Sequence, residues 1–94
     1  MEVRFYIDPD TEQPHIYEHG VTEAEVHQIL ARPGQVLRGR KTSRFALGQT
    51  MAGRYLKVVY VPREEAGGVL VVTAYDLRGK ELKAYRRRQR RRSR

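Results

Sequence analysis

Apolar positions along the chain switch between two periods, and each switch marks an element. Val3 to Ile7 alternates and is rich in aromatics, which predicts a first strand stopped by Asp8-Pro9. Residues 10–19 are ambiguous: Thr11 to Tyr17 suits a short helix that Pro14 loosens, with Gly20 placed to end it in a left-handed conformation. Thr22 with Glu25 three residues on is a capping box, and Val21 against Val26 is a hydrophobic staple. Val26, Ile29 and Leu30 then form a helical stripe that Pro33-Gly34 stops, so a helix is expected over Thr22 to Arg32.

Beyond Gly34 the period becomes two. Gln35 to Arg38 predicts a short strand, and Gly39-Arg40-Lys41-Thr42 a polar turn. Arg44 to Leu47 puts Phe45 and Leu47 on one face with Arg44 and Ala46 on the other. After a turn through Met51-Ala52-Gly53, Arg54 to Val61 is the longest strand. Leu56, Val58 and Tyr60 share one of its faces and Val59 and Val61 the second, as in a central strand covered on both sides. Residues 64–68 read as a hairpin loop, and Val69 to Tyr75 as a β-branched strand. Asp76 is then expected to cap a last helix, whose Leu82 and Tyr85 lay a narrow seam on the sheet. The order predicts an α+β domain: a small antiparallel sheet of four to five strands, with N-terminal helices and a C-terminal helix packed on it.

Charge changes this picture at one end. The chain of 94 residues carries a net +8, but residues 86–94 hold seven arginines and no acid, leaving the rest near neutrality. The expected division is one domain over 1–85 and an arginine-rich tail over 86–94, which self-repulsion keeps from folding throughout. Such a tail holds phosphates by releasing their counterions, or it is ordered only by a partner. With no cysteine there is neither a disulfide framework nor a thiolate site. The N-terminus does not read as a signal peptide and no apolar run approaches the roughly 18 residues of a membrane span, so a cytoplasmic protein without membrane contact is expected.

The residues that point further are Asp8-Pro9, His19-Gly20-Val21 with the Glu- and Val-rich helix behind it, Arg44-Phe45, Leu47-Gly48, Gly53-Arg54, Val58-Val59-Tyr60, Thr73-Ala74, Lys80-Glu81 and Tyr85. Together they resemble the BrnT family of toxins and the related DUF4258 group, in the broad RelE-like ribonuclease toxin superfamily. The likeness spans roughly residues 5 to 87. It implies a type II toxin-antitoxin component that cleaves RNA without metal or other cofactor, on or off the ribosome, and is silenced by a cognate antitoxin. His15 stands where BrnT proteins commonly carry asparagine, which is closer to the DUF4258 pattern.

Cleavage by a 2′-OH needs a base at that hydroxyl, cations around the phosphorane and an acid for the departing 5′ oxygen. Imidazole is the side chain that titrates closest to neutrality, and His15 with His19 four residues on would share a helix face; the same spacing suits zinc, but no third ligand lies near. His19 before Gly20 also reads as a helix C-terminal cation. Arg44 and Lys80 are the expected phosphate cations, Glu81 the base or its orienter, and Tyr85 a proton carrier chiefly on the resemblance. Arg40, Tyr75, Arg86, Arg87 and Arg88 are expected to bind RNA, while Tyr6, Tyr17, Tyr55 and Tyr60 are left to packing. The rival reading is a non-catalytic RNA- or ribosome-binding module whose affinity comes from the tail. In a third reading the tail docks the antitoxin.

Overall fold

The computed structural model describes residues 1–63, 65 and 67–92. The chain runs β1 (Glu2–Phe5), β2 (Ile7–Asp8), β3 (Gln13–Pro14), a 3₁₀ turn (His15–His19), α1 (Glu23–Ala31), β4 (Gln35–Arg38), β5 (Arg44–Gln49), β6 (Tyr55–Arg63), β7 (Gly68–Asp76) and α2 (Gly79–Arg92). Five strands form one sheet in the order β1-β7-β6-β5-β4, and β2 and β3 pair as a small ribbon. This is the expected α+β architecture, with one difference. β1 joins the edge beside β7 in parallel, because the helical segment that follows it carries the chain back across the sheet.

The ambiguous stretch resolves into two short devices. Ile7 pairs with Pro14 and Asp8 with Gln13, so Pro14 ends a strand instead of breaking a helix. The 3₁₀ turn follows and closes at Gly20, whose φ of 67° puts it in the left-handed region. Thr22 then caps α1: its Oγ1 accepts from the Glu25 N–H at 3.1 Å, and the Glu25 carboxylate accepts from the Thr22 N–H at 3.0 Å.

Two apolar clusters hold the layers, one on each face of the sheet. Ile16, Val21, Val26 and Ile29 pack on Ala46, Leu56, Val58, Val71 and Ala74. Leu82 and Tyr85 of α2 pack on the opposite face, with Leu37, Phe45, Leu47, Tyr55 and Leu77. Burying each of these large side chains contributes about 1.5–3 kcal/mol, so both faces matter to stability. One irregularity separates the halves of β7. Thr73 lies opposite Val59 but Val71 opposite Tyr60, leaving Val72 as an extra residue in a β-bulge.

Two expectations are corrected here. Asp76 remains in β7 and does not cap α2; its carboxylate accepts from Arg54 at 2.8 Å and from Arg78 at 3.1 Å. The arginine run is helical through Arg92, since its inner side is tethered. Arg88 Nε donates to Gln35 Oε1 at 2.7 Å, and Gln89 and Arg92 both donate to the Gly34 carbonyl. The loop expected over 64–68 includes Glu64 and Ala66, which lie outside the described residues. Among the described residues, no helix is long and apolar enough to cross a membrane.

Candidate active site

At the β7 edge beyond the end of β1, the 3₁₀ turn takes the place of a strand. The Tyr6 N–H donates to the Val71 carbonyl at 2.8 Å and the His15 N–H to the Tyr6 carbonyl at 3.0 Å, which sets that turn against the sheet. Its two histidines meet ring to ring, 5.5 Å apart and nearly perpendicular. The Asp8 carboxylate lies 3.1 Å from His15 Nδ1. A carboxylate can only accept, so this bond places the proton on Nδ1 and leaves Nε2 as the basic nitrogen. The Asp10 N–H donates to Asp8 at 2.9 Å; that bond, with the His15 ring, holds the Asp8 carboxyl below the usual carboxylate range.

His19 is exposed and meets the Tyr75 ring edge-on, ring centroids 5.7 Å apart. Tyr75 and Lys57 are direct partners across β7 and β6, on the face that α2 covers. Lys57 is the unexpected member. Its Nζ lies 4.4 Å from the Phe45 ring centroid, 5.8 Å from that of Tyr75 and 2.9 Å from Glu81 Oε2, with the side chain only 11% exposed. Burial pulls its pKa down, but the Glu81 carboxylate and Tyr75 more than offset this, so the ammonium stays charged. A cavity of about 490 Å³ opens beside the group, lined by Glu18, His19, Tyr75, Asp76 and Arg78.

Arg54 fixes the geometry from behind. It pairs with Asp76 at 2.8 Å and Glu25 at 3.1 Å, and donates to the carbonyls of Gly20 at 2.8 Å and His19 at 3.3 Å. Three elements are thereby clamped: the end of β7, the start of α1 and the turn bearing His19. The Asp76 bond, against the opposing effect of burial, raises the Arg54 pKa still further.

Of the residues expected from sequence, the fold brings His15, Tyr75 and Glu81 into this group. Lys80 is exposed on the first turn of α2 beside Glu81. Tyr85 is one turn further on and only 4% exposed, packed with Leu47 and Leu77; burial pushes its phenol pKa up, and Tyr55 adds to that. Arg44 is not part of the group. It alternates with Phe45 and so falls on the opposite face of the sheet, where it lines a separate cavity with Thr42, Pro62, Arg63 and Glu65. Arg40 is exposed in the turn between β4 and β5. The guanidinium of Arg86 lies 5.8 Å from the Tyr55 ring, Arg87 is exposed, and Arg88 is held by Gln35.

The sequence reading passed over Lys57, Asp8 and Arg78, and gave His19 only a minor part. Lys57 did leave a signal: a lysine in the middle of the longest apolar strand needs a partner on the face it occupies. Among the described residues no three histidines or carboxylates are grouped to hold a metal ion. The arrangement can instead accept a proton at one imidazole, donate one from another group and set cations beside a developing charge. Compared with known proteins, the chain matches no family model, no curated protein and no solved structure.

Proposed function

We propose that the protein is a metal-independent endoribonuclease, acting as the toxin of a type II toxin-antitoxin pair in the cytoplasm. One observation carries this reading: the unbroken series of contacts Asp8, His15, His19, Tyr75, Lys57, Glu81, with a cavity at His19 and Tyr75. In the reaction, His15 Nε2 takes the proton from a ribose 2′-OH. The 2′ oxygen forms a bond to the adjacent phosphorus while the bond to the 5′ oxygen breaks. His19 in its protonated form supplies the proton to that leaving oxygen. Lys57 and Arg78 stabilise the phosphorane, and Glu81 positions Lys57. The products are a 2′,3′-cyclic phosphate and a free 5′-OH. The toxin assignment, the antitoxin partner and any role of the ribosome rest on the resemblance in sequence.

Incubation of purified protein with RNA in excess chelator tests the chemistry. A 2′,3′-cyclic phosphate terminus is expected, absent with a His15→Ala, His19→Ala double variant. RNA left intact at every enzyme concentration would overturn the nuclease reading.

A second reading is favoured by α2 itself, whose Lys83, Arg86, Arg87 and Arg90 present an exposed basic face. A non-catalytic RNA- or ribosome-binding module would bind with a steep salt dependence and cut nothing.

A further inference from the structure

A second cavity, of about 380 Å³, lies along α2 beyond the site just described, lined by Gln49, Tyr55, Tyr85, Arg86, Gln89 and Arg90. We infer that it is a subsite for one nucleobase and its adjoining phosphate in single-stranded RNA, resting on the reading of this protein as one that acts on RNA.

Its chemistry is that of a base-stacking platform. Tyr55 is half-buried and packs edge-on to Tyr85, ring centroids 6.2 Å apart, so its ring is fixed from one side. The Arg86 guanidinium lies over the Tyr55 ring at 5.8 Å. A base entering here stacks on the outer plane of that guanidinium, which the Tyr55 ring backs, a contact that single-strand binders use without regard to sequence. Arg90, one turn on from Arg86, stands at the mouth and suits the phosphate. Two amides complete the rim and are oriented from within: Gln49 donates to the Gly53 carbonyl at 3.2 Å and Gln89 to that of Gly34 at 3.0 Å. The volume fits one nucleotide and not a folded partner.

Position links the subsite to the reaction. Glu81 sits on the first turn of α2, and Arg86 and Arg90 follow on the same helix at about 8 and 14 Å by helical rise. One strand of RNA can therefore cross the cleavage group and place a flanking base on the Arg86 guanidinium that Tyr55 backs. General attraction to a basic helix would give no such focus, because Arg87 and Arg91 carry the same charge but do not line this cavity.

The experiment measures binding of the full chain by calorimetry to two oligomers of equal length and charge. One is a 2′-O-methyl uridine hexamer, which lacks the attacking hydroxyl; the other is its abasic counterpart. The base-bearing oligomer should bind about tenfold tighter or more. Arg86→Ala with Arg90→Ala, or Tyr55→Leu, should abolish that preference. Arg87→Ala with Arg91→Ala should weaken both oligomers alike and keep it. Equal binding of the two oligomers by the wild type overturns the subsite, as does an equal loss of preference in both arginine pairs. If the preference maps to Arg86 and Arg90 while unmodified RNA stays uncut, the subsite stands and the nuclease reading falls. If RNA is cut but the preference is absent, the reverse holds.

Discussion

The Tyr85 hydroxyl rests against the α-carbon of Gly34, in space that any side chain at position 34 would fill. Gly34 is needed here for closeness and not for an unusual backbone angle. Its N–H also donates to the Leu47 carbonyl at 2.8 Å, so the residue cannot easily retreat. Gly34→Ala should therefore cost about 1–3 kcal/mol in chemical denaturation. In a Tyr85→Leu background the same substitution should cost distinctly less, which a double-mutant cycle would read.

Substitutions in the histidine group should separate chemistry from binding. His15→Ala and His19→Ala should each lower the cleavage rate by about 10²–10⁴-fold with the fold intact. Arg44→Ala, on the far face, should leave the rate unchanged. A rate that collapses with Arg44→Ala and survives the histidine variants would displace the site.

Acid should loosen the Arg54 clamp. The Arg54 guanidinium, and after burial's opposing effect Arg78, hold the Asp76 carboxyl below its ordinary value of 3.8. A lowered folded-state pKa contributes stability that is present above the unfolded value and lost as pH falls through the folded one. Unfolding midpoints should thus be level above about pH 5 and fall below about pH 4. Asp76→Asn should be less stable at neutrality and converge on the wild type in acid. Lys57 has the opposite sign: its raised pKa contributes below 10.5, and that contribution is lost as pH climbs through the folded value.

Thr73 Oγ1 is buried on the α2 face with no hydrogen-bond partner among the described residues. Thr73→Val keeps the shape and removes the unsatisfied hydroxyl. A gain of about 1 kcal/mol is expected in urea denaturation.

The arginine helix should divide by side. Arg88→Ala and Gln89→Ala each lose a bond to the Gly34-Gln35 segment and should cost about 0.5–1.5 kcal/mol. Arg87→Ala and Arg91→Ala, both exposed, should stay within about 0.5 kcal/mol in the same thermal or urea scan.

Local rules made much of the fold legible. Thr22 and Glu25 announced α1, and alternation placed β4 at its observed bounds. Self-repulsion among the arginines argued against helix, yet arginine is a good helix former and one side of α2 found acceptors at Gly34 and Gln35. Those acceptors lie more than fifty residues away, where periodicity carries no information. Lys57 with Glu81 and Arg54 with Asp76 are 24 and 22 residues apart, still beyond the reach of any local period, so much of the candidate site was hidden for the same reason. Arg44 was different. Alternation already set it opposite Phe45, and the family likeness outweighed a clue that was in plain view.

The extra residue at Val72 decides which side of the sheet Tyr75 and Asp76 face. Val69 and Val71 point into the α1 core, and so does Ala74, although strict alternation would have sent Ala74 outward. The single added residue thus acts as a half-turn of the strand's tip. Were Val72 instead to pair regularly and the bulge to vanish, the Tyr75 ring would fall beneath α1 and Asp76 would leave the reach of Arg54. One position, bearing no functional group of its own, sets which way the side chains at the end of β7 point.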